Sequence, residues 1–199
     1  MNRLFTQLLC RWICVSALLA FTSVTSAQPA NENPAQEPDT LILSDTLNYD
    51  DTKKESTFTG NVVMTRGQMT LKSDRLIMRE DNEGFQYGTA TANGGKLVFV
   101  RQENPEKFEV IEAQGLRAEY NGKTEEVEMI GQAIVTRYVC GKKFDNIRGE
   151  RVIYNQATSI YQAFGGPNSS AAGGRVRSVA TPGAKAEAAA AQCQQNQSR

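Results

Sequence analysis

Thr57-Phe58-Thr59-Gly60-Asn61-Val62-Val63-Met64-Thr65-Arg66 and, 71 residues later, Glu128-Met129-Ile130-Gly131-Gln132-Ala133-Ile134-Val135-Thr136-Arg137 decide the fold. In both, apolar and polar residues alternate and β-branched residues are frequent, which is how a half-buried strand reads. The same shift superposes Tyr49 on Tyr120, Glu55 on Glu126, Gly60 on Gly131, Thr65 on Thr136 and Arg66 on Arg137. A third, partial copy sets Tyr154 ahead of Gly165 at the same separation. Turn signals at Asp50-Asp51, Asn82-Glu83-Gly84, Asn93-Gly94-Gly95 and Asn121-Gly122 suit successive hairpins and leave no room for crossover helices. An all-β antiparallel body is expected.

A second signature recurs as Ile42-Leu43-Ser44-Asp45-Thr46-Leu47, Leu71-Lys72-Ser73-Asp74-Arg75-Leu76 and Ile147-Arg148-Gly149-Glu150-Arg151-Val152. Each places two apolar residues an odd step apart around a small residue. An odd step flips the face of a strand, so a bulge or corner is required there to keep both apolar side chains inside. Repeated strand, corner, strand units stack into a jellyroll-like or solenoid-like sandwich with two open ends, where unpaired backbone invites another strand. The phase puts Phe58, Val62 and Met64 on one inward face, and Val127, Met129, Ala133 and Val135 on its counterpart, with Leu97 and Phe99 joining them. Periodicity leaves open whether this face is a packed core or an apolar groove.

Composition bounds the chemistry. The 199 residues contain no histidine, so Ser-His-Asp and Cys-His nucleophile pairs and imidazole metal sites are excluded. There is no GxxxxGK[ST], no GxGxxG after a strand, no GxSxG and, beyond residue 27, no CxxC. Asp45, Asp50, Asp51 and Asp74 sit at turns and corners, where carboxylates ordinarily serve the backbone. Arg66, Arg75, Arg79, Arg137, Arg148 and Arg151 belong to a solvated, salt-bridged strand face or to a phosphate-binding one. Formal charge is balanced, 22 basic against 22 acidic, so no nucleic-acid partner is expected. No cofactor or metal is expected either.

Residues 1–27 read as a secretory signal: Arg3 and Arg11, an apolar run from Trp12 to Phe21, then Thr25-Ser26-Ala27 at a cleavage site. Its two arginines leave with it, taking the net charge from zero to −2. Residues 28–39, with Pro29, Pro34 and Pro38, read as a flexible leader, 40–180 as the β domain, and 181–199, rich in Ala and Gln, as a disordered tail. Cys140 and Cys193 alone reach an oxidising compartment, which allows one bridge and leaves their pairing open, and Cys193 reads as a free or adventitious thiol rather than a site.

The Tyr/Gly repeat, Phe58-Thr59-Gly60-Asn61-Val62 followed by Lys72-Ser73-Asp74-Arg75, and Ala163-Phe164-Gly165 resemble the OstA-like family over about residues 40–180. The resemblance implies a twisted β-jellyroll, open at both ends. It implies a periplasmic, non-enzymatic carrier of lipopolysaccharide (lipid A), working between an inner-membrane extraction complex and an outer-membrane translocon. An inner-membrane jellyroll partner would join the N-terminal edge at Thr40–Leu43, the translocon would meet the C-terminal strand after Gly174, and copies could associate head to tail. Positions matching the family's acyl-chain contacts are Thr40, Ile42, Phe99 and Tyr120. The Gly165–Gly174 insertion and the Cys140 segment depart from the family pattern. A membrane-anchored jellyroll of the same pathway, a polysaccharide-binding β module and a carboxylate-dependent glycan enzyme are the competing readings.

Overall fold

The computed structural model describes residues 38–158 and 160–197; the expected signal segment, and the leader before Pro38, lie outside the described residues. Twelve strands follow in order: β1 (Thr40–Leu43), β2 (Thr46–Asp50), β3 (Glu55–Arg66), β4 (Met69–Glu80), β5 (Gln86–Thr91), β6 (Val98–Asn104), β7 (Glu109–Gly115), β8 (Arg117–Asn121), β9 (Glu126–Val139), β10 (Lys142–Asn155), β11 (Ile160–Phe164) and β12 (Arg177–Val179). One helix, α1 (Gly183–Gln197), ends the described chain.

All strand pairs are antiparallel, and the registers resolve them into two layers that share four long strands. One layer runs β2-β3-β4-β5-β8-β9-β10-β11 through residues 55–59, 75–80, 126–130 and 151–155 of the long strands. The other runs β1-β3-β4-β6-β7-β9-β10-β12 through residues 62–66, 69–73, 134–139 and 142–148. Apolar side chains from both layers form one core, with Val62, Leu76, Val98, Met129, Ala133 and Val152 almost fully buried. The expected all-β jellyroll is the observed architecture.

The repeat marks where the layers meet. The β3–β4 register slips between Thr59 and Val62, and the β9–β10 register slips opposite Gly149/Arg151, between Ile130 and Ala133. The extra residues are Gly60-Asn61 and Gly131-Gln132, all with positive φ (82°, 46°, 71° and 53°). Each glycine-led bulge bends its strand, while β4 and β10 cross the corner with no extra residue. Freed backbone groups are satisfied in matching ways. Asp45 N–H donates to the Gly60 carbonyl and Leu116 N–H to that of Gly131, both at 2.9 Å. The odd-step rule holds for Leu71 with Leu76 and for Ile147 with Val152. It fails for Leu47, 60% exposed although its strand partner Phe58 packs on the core, because β2 is an edge strand with the sandwich open beyond it.

Two expectations are corrected at the C-terminus. Residues 183–197 form α1 instead of a disordered tail: alanine is the best helix former, and tertiary contact supplies what a short isolated helix lacks. The helix packs on β9 with Ala186 buried. Cys193 is not a free thiol but is bonded to Cys140 in the β9–β10 turn, with Cα atoms 5.9 Å apart. The insertion after Gly165 is a strap over the last corner. Gln132 N–H donates to the Asn168 carbonyl (2.8 Å), Ser170 N–H to Gly149 (3.1 Å) and Ser170 Oγ to the Ala133 carbonyl (2.6 Å). It thereby serves Gln132 N–H and the Ala133 carbonyl at the second bulge, whose Gly131 carbonyl Leu116 serves, together with the Gly149 carbonyl across from them on β10.

Two stability predictions follow. A Cβ at Gly131 would lie 2.8 Å from Leu116 Cδ1 in a left-handed conformation, whereas at Gly141 (φ +71°) it meets nothing within 4 Å. Urea denaturation is expected to show Gly131→Ala losing about 2–3 kcal/mol and Gly141→Ala about 1 kcal/mol. Reduction of Cys140–Cys193, which spans 53 residues, is expected to cost about 4 kcal/mol in the same assay, and Cys193→Ala should be insensitive to reductant.

Candidate functional site

Between the layers the core is not filled throughout. A chamber of about 650 Å³ lies towards the N-terminal edge, and a second space of about 80 Å³ continues it towards the C-terminal edge. Met69, Val100, Gln102, Val127 and Gln156 line both, so they form one trough along the stacking direction. Local sequence sets its width. Three inward residues of β5 and β8, Gly88, Ala90 and Ala118, are small and widen the chamber, which Tyr120 and Gln86 of the same strands also line. Further along, Ile111, Met129, Val135, Val152, Tyr154 and Tyr161 close it down. All four methionines of the chain other than Met1 line the trough: Met64, Met69 and Met78 the chamber, Met69 and Met129 the narrow part. Their unbranched thioethers adapt to irregular apolar ligands.

Sequence-expected residues divide into three groups. Thr40, Met64 and Tyr120 line the chamber, and Met129 and Val135 the narrow part. Ile42, Phe58 and Val62 belong to the core or pack on it, but line neither space. Leu97 and Phe99 are corrected: Val98 and Val100 are the buried core residues of this segment, so alternation turns Phe99 outwards, level with exposed Lys72 on β4. Leu97 precedes β6 on the same parity and is absent from the core. The register of a short strand beside a glycine turn could not be phased from alternation alone, since both parities are apolar here. Met69, Met78, Gly88, Ala90, Ala118 and Tyr161 were missed; the available signal was the run of small residues at alternate positions, Gly88 and Ala90.

Charges are kept to the rims and the outer faces. Arg101 pairs with Glu112 (2.6 Å) and Glu103 (2.9 Å), Arg151 with Glu128 (3.0 Å), and the Arg79 guanidinium lies 5.1 Å from the Tyr87 ring centre. Past Val135 the inward parity turns polar, and Arg137 binds Asp145 (2.6 Å) and Glu109 (3.1 Å). The corner carboxylates serve backbone and turn. Asp74 accepts from Asn93 N–H at 2.7 Å, which, with Lys96 nearby, holds its carboxyl below the usual range despite partial desolvation. Asp50 accepts from Lys53 N–H and pairs with its ammonium. Among the described residues no group of three or more Cys, Asp or Glu side chains could hold a metal ion. The arrangement can shelter an elongated apolar ligand, but it presents no paired nucleophile and base.

Both ends of the sandwich are open. Among the described residues β1 and β2 pair only with β3, and β11 and β12 only with β10. The N-terminal end exposes Leu41, Leu43, Leu47 and Tyr49, the C-terminal end Ile160, Phe164, Val176 and Val179. Unpaired backbone flanked by exposed apolar side chains is the form of a strand-addition surface. Among the described residues no helix is long and apolar enough to cross a membrane.

Comparison with known proteins agrees with this geometry. Residues 41–160 match the family model described as LptA/(LptD N-terminal domain) LPS transport protein. The lipopolysaccharide export system protein LptH of Pseudomonas aeruginosa is 26% identical over 122 residues, 61% of this chain and 66% of that protein, so the match spans just under two thirds of the relative's length. The crystal structure of LptH, the LptA-homologous periplasmic component of the lipopolysaccharide transport device of that organism, superposes with a TM-score of 0.60 at 24% identity, covering 73% of this chain and 96% of that one. The OstA-like resemblance of the sequence is borne out, and the chain belongs to the LptA/(LptD N-terminal domain) LPS transport protein family.

Proposed function

We propose that this chain is a periplasmic, non-enzymatic carrier that shields the acyl chains of lipopolysaccharide (lipid A) while they pass between the inner and outer membranes. The observation that carries the reading is the apolar trough, lined by four methionines, that runs between the two layers from the β1 end towards the β11 end. Burying one CH2 is worth about 0.8 kcal/mol, so a ~14-carbon chain left in water costs on the order of 10 kcal/mol. An open apolar trough removes most of that cost without any chemistry. No nucleotide motif is present in the sequence, so the driving energy comes from a partner.

Family membership and the two exposed edges support the route. The N-terminal edge, β1 and β2, meets an inner-membrane jellyroll partner; the C-terminal edge, β11 and β12, meets the outer-membrane translocon; copies add head to tail by the same strand addition. The acyl chains contact Thr40, Met64 and Tyr120 in the chamber and Met129 and Val135 beyond it, with Ile42, Phe58 and Val62 as the packed wall behind.

Two outcomes test this. Ala118→Leu fills the chamber with apolar volume, and Met78→Glu puts a charge at a half-buried lining position. Both are expected to keep the β circular-dichroism spectrum and to weaken lipopolysaccharide binding at least tenfold by fluorescence displacement; undiminished binding in folded variants would overturn the carrier reading. Separately, Leu43→Asp with Leu47→Asp is expected to weaken head-to-tail association at least tenfold in sedimentation equilibrium, leaving lipid binding unchanged.

A further inference from the structure

We propose that the trough is a two-stage path in which the acyl chains rest in the wide chamber, and that Tyr161 is the barrier to their passage towards the C-terminal mouth. This rests on the carrier reading above and adds a site and a specificity-determining residue to it. The capacity falls roughly eightfold, from about 650 to about 80 Å³, without a break in the lining. The cause is residue size: small inward residues at Gly88, Ala90 and Ala118 give way to Met129, Val152 and Tyr161.

Met129 and Val152 are almost fully buried and fixed in the core. Tyr161 differs from them. It stands on the edge strand β11, is 37% exposed, and its ring stacks on Tyr154 at a centroid distance of 4.4 Å. An offset ring pair of this kind is worth about 0.5–1.5 kcal/mol beyond burial, small enough to break when a ligand presses on it. Burial first, and Tyr154 second, push the Tyr161 hydroxyl above its ordinary range. The Arg137–Glu109–Asp145 cluster on the opposite layer places charge where an apolar chain would otherwise continue. A chain therefore advances only when the Tyr161 ring leaves its stack.

The test uses lipopolysaccharide whose acyl termini carry a diazirine, photolysed on the full chain, with adducts mapped by mass spectrometry. In the wild-type protein adducts are expected on Met64 and Met78 at least fivefold above those on Val152 and Tyr154. In Tyr161→Ala the ratio should fall at least threefold as adducts reach Val152, while Tyr161→Phe, which keeps the ring, should match the wild type. An even wild-type distribution overturns the proposal without any variant. An unchanged distribution in folded Tyr161→Ala also overturns it, while leaving the carrier reading standing. Absence of adducts at every inward residue overturns the carrier reading and this inference with it.

Discussion

Everything in this structure depends on four residues that hold a left-handed backbone, Gly60-Asn61 in β3 and Gly131-Gln132 in β9. At these bulges a long strand leaves one layer and enters the other without ending. In β3 and β9 the inward residues lie even steps apart, Phe58 with Val62 and Met64, and Met129 with Ala133 and Val135. The odd step falls on the facing strands, Leu71 to Leu76 on β4 and Ile147 to Val152 on β10, where two residues of the bulged strand oppose one, so that both apolar side chains stay inside. Asp45, Leu116 and the Asn168–Ser170 strap then satisfy the backbone groups the bulges disturb, as buried backbone requires.

The distribution of polarity follows from that geometry. Because both layers turn one face inward, Arg101, Arg117 and Arg151 reach their acidic partners outside the trough or at its rim. These exposed pairs contribute little to stability, and they keep the outer faces soluble beside a large apolar interior. The width of the interior is set by side-chain size, small at Gly88, Ala90 and Ala118 on β5 and β8 and bulky at Met129, Val152 and Tyr161 on β9–β11. The methionines Met64, Met69, Met78 and Met129 give that interior an adaptable apolar surface.

Much of this was legible in the sequence, because a fold built by repetition writes its corners at a fixed period. The 71-residue shift aligned Gly60 with Gly131, and the odd-step signature placed corners at Ser73 and Gly149, which flank the glycine bulges across the β3–β4 and β9–β10 pairs; the inward sides of β3 and β9 followed from alternation. What escaped had physical reasons. Lys96-Leu97-Val98-Phe99-Val100 is apolar on both parities, so its phase is set by pairing with β4 and β7, not by its own pattern. An empty space is made by residues that are absent, and Gly88, Ala90 and Ala118 carry no hydrophobic signal of their own. The tail from Gly183 looked too polar to fold, since the disulfide and the β9 face that hold it are distant in sequence.

The four shared strands also decide how the trough can open. Two separate sheets could slide apart, but layers joined by continuous β3, β4, β9 and β10 can part only by rotation about the line of corners. Such a rotation would be that of a jaw, with displacement smallest beside Gly60 and Gly131 and growing with distance from them. Leverage is therefore greatest at the strand tips, where Gln68, Gln86, Gly122 and Gln156 frame the mouth. A sandwich hinged this way would open at the side while its packed spine, Val62, Ala133 and Val152, stayed closed.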